Sequence, residues 1–208
     1  MAMLAQGPYK QHDFPLTGLT GISDKQIEVH KGLYAGYVRN VNILNERIAA
    51  LEKDGKIGTP DWAELTRRLG FEYDGMILHE YYFGNLRAGA SPLDPSSALG
   101  RALQQAFGSV DAWLADFKGI GAMRGVGWAV LFQDPATGWL SNHWLTLHQD
   151  GVPAGFKPIL VLDVWEHAFM VDYVPAERPK YIDAFFQNVD WDAVQQRLAS
   201  PAATRPIG

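Results

Sequence analysis

The sequence predicts an α+β protein with an N-terminal antiparallel helical hairpin and a C-terminal domain in which helices flank a three-stranded antiparallel sheet. Apolar residues recur at three- and four-residue steps over residues 24–51, and a helical pattern starts again at Pro60. The second half instead contains three short stretches of strand-like composition, at residues 127–132, 139–147 and 157–162. The loop-forming sequence RAGASPLDP lies between the two halves, so we expect it to divide residues 1–90 from residues 91–208.

The first predicted helix follows an arm, residues 1–21, that is punctuated by Gly and Pro. Ser23 is followed three residues later by Gln26, which is the spacing of a capping box. Ile22 and Ile27 are placed for the hydrophobic staple that often accompanies such a cap. The pattern therefore predicts that the helix begins directly after Ser23.

The turn sequence KDGKIG separates this helix from the second one. Thr59 has the character of an N-cap, and Pro60 suits the first helical position, where its missing N–H costs nothing. We expect the second helix to continue to about Leu86, with a break near Gly70 or Gly75 left open. Two long helices joined by a short turn form an antiparallel pair.

Short helices are predicted around the strands of the second half. The turn DPATG separates the first two strands, which favours antiparallel pairing in series. The helical patterns cover residues 97–107, 109–123, 164–173, 179–187 and 191–198.

The composition limits what this chain can bind. The 208 residues contain no cysteine, so a metal would have to be held by His, Asp or Glu. The net charge is −5 and no cluster of Lys and Arg stands out, which argues against nucleic acid or an anionic membrane as the main partner. No apolar run has the length of a membrane span and no secretory signal is visible, so we expect a cytoplasmic protein.

An acidic residue at the end of a buried strand is the first sign of a functional site. The apolar run that starts at Ile159 ends on Asp163, and His167 follows four residues later. A carboxylate in that position is costly to desolvate unless a positive group pairs with it. The spacing can direct a carboxylate oxygen and an imidazole nitrogen at one point, as a metal requires.

Two further histidines are candidates for the same site. His30 and His79 lie on the two predicted helices, and antiparallel packing could bring them together. A single His on an apolar helix face is more often a core residue than a ligand, so spacing alone leaves both readings open. Three His and one Asp would suit iron or manganese, with zinc possible by ligand type. We expect His12 to be exposed in the arm and His143 to lie on the surface of a strand.

Several motifs resemble those of the iron/manganese superoxide dismutase family. They are DVWEHAF at residues 163–169, ERPKY at residues 177–181, and the sequences IEVH, LHEYYF and GVGW. The resemblance extends from about Phe14 to Leu198. It implies one iron or manganese ion per subunit, superoxide as substrate, and O2 and H2O2 as products. The implied metal ligands are His30, His79, Asp163 and His167, with a solvent molecule in the fifth position.

The resemblance also implies roles for residues around the metal. Tyr37 matches a tyrosine at the mouth of the active site, which serves as hydrogen-bond partner and proton relay. Gly75 stands where many members have a glutamine that bonds the metal-bound solvent. We therefore expect His148 to be that solvent partner, with Gln149 as the fallback. The remaining implied residues are the pocket-wall residues Tyr82, Trp128 and Trp165, and Arg178 near the substrate funnel.

The resemblance implies a homodimer, with a tetramer left open, but the expected interface is altered. Glu166 resembles the acid that crosses the interface to the ligand histidine of the other subunit. The family usually has a pair of histidines after the first ligand and a tyrosine at the position of Met170, whereas this chain has KGLYAG and Met. We expect Glu166 to keep the dimer together, with Tyr34 as a replacement for the lost polar bridge. The spacing of seven from His30 to Tyr37, against eight in most members, predicts a regular helix there.

Two other functions fit the same residues. One is a noncatalytic metal-binding or interaction protein on this fold, with a partner at the altered surface. The other is a non-haem iron enzyme that acts on O2 or an organic substrate and has a wider pocket.

Overall fold

Two long antiparallel helices form the N-terminal half of the computed structural model, which describes residues 8–200. Helix α1 spans Asp24–Lys53 and helix α2 spans Pro60–Phe83. The apolar face of α1 is buried, and Tyr34 and Val41 are completely inaccessible. The hairpin predicted from the spacing of apolar residues is therefore present.

The caps of these helices follow the sequence signals. The Ser23 hydroxyl accepts a hydrogen bond from Gln26 N at 3.0 Å, and the Thr59 hydroxyl accepts one from Trp62 N at 3.4 Å. The break that we left open near Gly70 or Gly75 does not occur, because α2 is continuous through both residues.

Within residues 91–200 the structure contains four α-helices and one sheet, and the predicted fold class is confirmed. The strands pair in the order β2-β1-β3, and both pairings are antiparallel. Within residues 8–200, none of the helices has the length and hydrophobicity needed to cross a membrane. The elements are α3 (Ala98–Phe107), α4 (Val110–Gly121), β1 (Gly127–Gln133), β2 (Leu140–Thr146), β3 (Lys157–Asp163), α5 (Arg178–Gln187) and α6 (Trp191–Ala199).

The central strand β1 determines what lies beside Asp163. Its residues from Gly127 to Phe132 are buried, as expected for a strand covered on both faces. Trp128 is paired with Asp163 of β3 on one side and with Leu145 of β2 on the other. The register therefore places an indole ring next to the carboxylate that ends β3.

The segment that follows α2 joins the two halves. Asn85 donates its side-chain amide to Val161 O at 2.5 Å, and Asp190 N donates to Asn85 O at 2.6 Å. Leu86 forms an isolated antiparallel bridge with Val189. The predicted domain boundary near residue 90 stays a prediction, because these contacts connect residues on both sides of it.

The prediction of a helix over residues 164–173 is wrong. Only Glu166–Ala168 is helical, as a single 3-10 turn. In an α-helix the carbonyl of His167 would accept a hydrogen bond from Val171 N. Here both backbone groups bond the buried side-chain amide of Gln26 instead. This amide donates to His167 O at 2.7 Å and accepts from Val171 N at 2.9 Å. A side chain from α1 thus replaces the helical hydrogen bond.

The same contact revises the role of Gln26 at the start of α1. In a complete capping box its side chain would return to Ser23 N. Ser23 N instead donates to the carboxylate of Asp172 at 2.7 Å, and the Gln26 amide is free to bind the segment that carries His167. Gln26 therefore helps to fix the backbone of a candidate ligand.

We expect the Gln26→Leu substitution to lower the free energy of unfolding by about 2–4 kcal/mol, because it leaves two backbone groups without their partner. We also expect a roughly 10–100-fold loss of metal affinity, which is the usual effect of losing a group that orients a ligand. Urea unfolding and competition with a chelator measure the two effects. Gln105→Leu, at an exposed position of α3, is the control and should change neither quantity. Unchanged metal affinity in Gln26→Leu would contradict the positioning role.

Candidate metal centre

Four side chains from different parts of the chain meet in the interior. His30 comes from α1, His79 from α2, Asp163 from the end of β3, and His167 from the 3-10 turn. The ligand atoms of the four lie within 4.8 Å of one another. The first three residues are completely buried, whereas the His167 side chain keeps 19% of its surface exposed. The antiparallel packing that the sequence suggested does bring His30 and His79 together.

The three histidines direct the same ring nitrogen at the same oxygen. Nε2 of His30 lies 3.0 Å from Oδ2 of Asp163, Nε2 of His167 lies 3.1 Å from it, and Nε2 of His79 lies 3.7 Å from it. Three imidazoles thus surround one carboxylate oxygen. This convergence leaves the four ligand atoms arranged around a common point.

The tautomer of His79 leaves a lone pair for a metal. Its Nδ1 lies 2.6 Å from the carbonyl oxygen of Gly75, which can only accept, so Nδ1 carries the proton. Nε2 is then unprotonated, and it has no hydrogen-bond partner within the described part of the chain. Burial holds the pKa of His79 well below its ordinary value and also lowers that of His30, so both rings are neutral.

Asp163 is held as an anion by its surroundings. Burial alone raises the pKa of this carboxyl, but the charge and hydrogen bond of His167 and the contact with His30 outweigh burial and lower it. Its other oxygen, Oδ1, accepts a hydrogen bond from Trp165 N at 2.8 Å. The Tyr181 hydroxyl donates to the Asp163 carbonyl at 2.8 Å, so the side chain and the backbone of this residue are both fixed.

The donor set suits a divalent or trivalent cation. Histidines bind metals in the neutral form, so three imidazoles and one carboxylate would together present a single negative charge to a bound cation. Nitrogen and oxygen ligands of this kind bind iron, manganese or zinc. The unpartnered lone pair of His79 is what a metal would occupy, so the residues fit such an ion.

A hydrogen-bonded chain of three side chains lies beside the four candidate ligands. Tyr37 Oη is 2.6 Å from Nε2 of His148, and Trp128 Nε1 donates to Nδ1 of His148 at 3.0 Å. The Tyr37 ring packs against that of His79 with 5.1 Å between centroids, and so does the Trp128 ring. Burial raises the pKa of Tyr37, with a further contribution from the negative charge of Asp163, and burial lowers the pKa of His148 to about 4.

Leu147 and Gly75 help to place His148 and Tyr37, respectively. Leu147 has a φ of 57°, an uncommon conformation for a bulky residue, at the point where the chain turns His148 inward. A Cβ at Gly75 would lie 2.6 Å from the Tyr37 ring, so α2 has no room for a side chain there. The structure places His148, and not Gln149, against Tyr37. Gln149 lies near Gly70 of α2.

Phe71 and Arg68 also lie beside His148, although neither was predicted from the sequence. The Phe71 ring lies 4.5 Å from that of His148, and the Arg68 guanidinium stacks on Phe71 at 3.9 Å. Arg68 remains half-exposed and pairs with Glu72 at 2.8 Å. The signal was available, because Phe71 precedes His79 by eight residues and therefore shares its helix face.

The other residues expected around the metal differ in what they contact. Trp165 stacks on His167 at 5.7 Å, and Tyr82 packs on His30 at 4.8 Å. Arg178 donates to the carbonyl oxygens of Met123 at 2.7 Å and Gly125 at 2.8 Å. It holds the loop before β1, and its influence on a charged substrate stays a prediction.

The expected interface residues divide into two groups. Glu166 and Met170 are exposed, as an interface role requires. Tyr34 is completely buried in the chain, where its hydroxyl donates to Glu80 at 3.1 Å and accepts from His12 N at 3.0 Å. The predicted role of Tyr34 in bridging two subunits is therefore wrong, because this side chain has no accessible surface. His12 is itself partly buried, not exposed as we expected.

The fold and the site together define a class of protein. Within residues 8–200, three histidines and one aspartate that could hold a metal ion lie between a helical hairpin and a small antiparallel sheet, as in a metalloprotein. Residues 95–197 match the family model described as iron/manganese superoxide dismutases, C-terminal domain. The chain belongs to the iron/manganese superoxide dismutase family, as its motifs suggested.

Three relatives illustrate the match over most of the chain. A protein named superoxide dismutase [Fe] from Aquifex pyrophilus is 39% identical over 185 residues, which cover 86% of this chain and 85% of the relative. A superoxide dismutase [Fe] from Cupriavidus metallidurans is 37% identical over 88% of this chain and 91% of its own length. Superoxide dismutase [Mn] 2 from Haloferax volcanii is 35% identical over 78% of this chain and 79% of its own length.

We expect the Gly75→Ala substitution to lower the free energy of unfolding by about 1–3 kcal/mol, because the added methyl group displaces the Tyr37 ring. Gly32→Ala is the control, since a Cβ at this helical position meets nothing within 4 Å. It should stabilise the chain by up to about 1 kcal/mol. Urea unfolding compares the two variants, and equal effects would contradict the requirement for space at Gly75.

Proposed function

We propose that this chain is a superoxide dismutase that converts superoxide to O2 and H2O2 at one iron or manganese ion. The observation that carries the proposal is the convergence of Nε2 of three histidines on Oδ2 of Asp163. The proposed ligands are His30, His79, Asp163 and His167. The names of the relatives support the reaction, and they include both metals.

The metal would supply one-electron chemistry by alternating between two oxidation states. One superoxide loses an electron and leaves as O2, and a second gains an electron and two protons and leaves as H2O2. The four ligands would serve both oxidation states, because one anionic and three neutral donors bind either without rearrangement. Their burial limits the number of water molecules near the reacting charges.

The surrounding side chains would hold protons and exclude larger molecules. The Tyr37 hydroxyl is hydrogen-bonded to His148 and its ring packs on His79, and we assign this hydroxyl to proton delivery. The rings of Trp128, Trp165 and Tyr82 pack directly on candidate ligands. A diatomic anion fits such a ring-lined site better than an organic substrate does, which favours the dismutase over the non-haem iron enzyme.

The function is tested on the purified protein by metal analysis and by the rate of superoxide decay. We expect about one iron or manganese ion per chain and a decay rate far above that of the free ion. The metal affinity of His167→Ala should fall by more than the roughly 10–100-fold that follows the loss of a residue that only hydrogen-bonds a ligand. His143→Ala, a histidine on β2 outside the cluster, is the matched control and should retain the metal.

Two results would contradict this function. Full metal occupancy without catalysis above the free ion would favour the noncatalytic metal-binding protein. Stoichiometric metal in His167→Ala would show that the ligand assignment is wrong.

We also propose that two copies of the chain form a dimer through the surface around Glu166. This exposed acid is adjacent to His167, and the resemblance implies that it bonds the partner's His167. Gln26 ties the same segment to α1. Exposed apolar residues on these two elements include Val29, Leu33, Met170 and Val171. Apolar contact would then replace the polar bridge that Tyr34 does not provide.

We expect Leu33→Glu to convert the dimer to a monomer, because it brings a charge into an apolar interface. Sedimentation velocity at micromolar concentration measures the mass of the particle. Ile43→Glu is the matched control, since Ile43 is 42% exposed on the same helix and Leu33 is 40% exposed. A monomeric wild type, or a dimer that survives Leu33→Glu, would contradict the interface. The cytoplasmic location and the lack of a nucleic-acid partner remain predictions.

A further inference from the structure

The rings around the candidate metal centre are not equally buried. Tyr82 and Trp128 are completely inaccessible, whereas Tyr37 and Phe71 keep part of their surface exposed. The centroid of the Phe71 ring lies 4.5 Å from that of His148 and 6.1 Å from that of Tyr37. One approach for a small anion from the solvent is therefore past Tyr37 and Phe71.

A positive charge is held at this approach by an oriented ion pair on α2. The Arg68 guanidinium lies 3.9 Å from the centroid of the Phe71 ring, and its side chain is 48% exposed. Its Nε and Nη2 contact Oε1 of Glu72 at 2.9 and 2.8 Å, so Nη1 lies outside the pair. The Glu72 side chain is buried and accepts a hydrogen bond from Asn40 of α1 at 3.2 Å. The negative end of the pair thus faces the hairpin interior, and the positive end faces the solvent over the ring.

The charge of Arg68 also acts on the groups behind Phe71. Burial is the largest cause of the lowered pKa of His148, and the positive charge of Arg68 contributes in the same direction. The chain as a whole carries a net charge of −5, which repels a monoanion at long range. A local positive charge beside the approach opposes that repulsion where the anion enters.

We propose that Arg68 attracts superoxide to the candidate centre through the positive charge that it holds over Phe71. A charge beside a narrow approach raises the local concentration of an oppositely charged substrate and its rate of encounter. Arg178, which the sequence suggested for this task, uses two of its N–H groups on the carbonyls of Met123 and Gly125. The attraction of small anions rests on the position of Arg68, and its value for the reaction rests on the proposed function.

The attraction of anions can be measured without any enzymatic activity. The full chain, with labelled phenylalanine rings, is loaded with diamagnetic zinc, which accepts the same ligand types. It is mixed with a small nitroxide that bears a carboxylate, or with the uncharged carboxamide analogue. Paramagnetic broadening of the Phe71 ring signals, which Phe71→Leu identifies, reports how often each nitroxide comes close.

We expect the anionic nitroxide to broaden the Phe71 signals several-fold more than the neutral one. This excess should be lost in Arg68→Gln. It should be kept in Arg67→Gln, which removes the same charge from a neighbouring exposed residue that pairs with Glu64. Equal broadening by the two nitroxides in the wild type, or an unchanged excess in Arg68→Gln, would overturn the proposal.

The effect on the reaction is tested on the iron- or manganese-loaded enzyme by the dependence of kcat/KM on salt. At an ionic strength of about 0.01 M, where the screening length is about 30 Å, we expect Arg68→Gln to lower kcat/KM by about two- to tenfold. At about 1 M, where this length is about 3 Å, the variant and the wild type should react at similar rates. Arg68→Lys should keep most of the rate because it keeps the charge. A loss in Arg68→Gln that does not depend on salt would contradict an electrostatic role.

Glu72→Gln separates the charge of Arg68 from a merely structural role. If Arg68 only supported Phe71 through its ion pair, Glu72→Gln would lower kcat/KM as Arg68→Gln does. Electrostatic attraction predicts the opposite, because less negative charge then lies at the approach, and kcat/KM at low salt should rise. A fall in Glu72→Gln would therefore overturn the proposal. A wild type without superoxide activity would contradict the proposed function, whereas the nitroxide measurement would still decide whether Arg68 attracts anions.

Discussion

The convergence of three imidazoles on one buried carboxylate is the interaction on which the rest of this structure depends. Asp163 is completely inaccessible and anionic, and burying such a charge without compensation costs several kcal/mol. Two of the neighbouring histidines, His30 and His79, are neutral and cannot balance it by themselves. A bound cation would balance the carboxylate and use the free lone pair of His79. The electrostatics of the core therefore favour a cation at the proposed site.

The architecture places these four residues by joining elements that are far apart in the chain. The helical hairpin supplies His30 and His79, and β1 places Trp128 beside Asp163 through the sheet register. A long-range contact helps to position the last candidate ligand, because Gln26 binds the backbone on both sides of the turn that carries His167. That contact couples α1 to the same segment that presents Glu166. Metal binding and the proposed subunit contact therefore share one structural element.

Local signals in the sequence were sufficient for the elements and the candidate ligands. The caps at Ser23 and Thr59 and the strand that ends on Asp163 follow from residues close in the chain. Hydrogen bonds from distant side chains, which compete with local backbone hydrogen bonds, could not be predicted from such local signals. The segment after Asp163 has a helical pattern, yet the Gln26 amide takes the hydrogen bond that the helix needed. The burial of Tyr34 and the partners of His148 likewise depend on residues at least twenty positions away in the chain.

We propose that one iron or manganese ion binds among His30, His79, Asp163 and His167. Diffraction from a crystal of the metal-loaded protein, at wavelengths on either side of the iron and manganese absorption edges, tests this directly. We expect one anomalous peak per chain, in contact with Nε2 of all three histidines and with Oδ2 of Asp163. A metal-loaded crystal whose anomalous peak lies elsewhere, or is bonded to fewer than three of these residues, would contradict it.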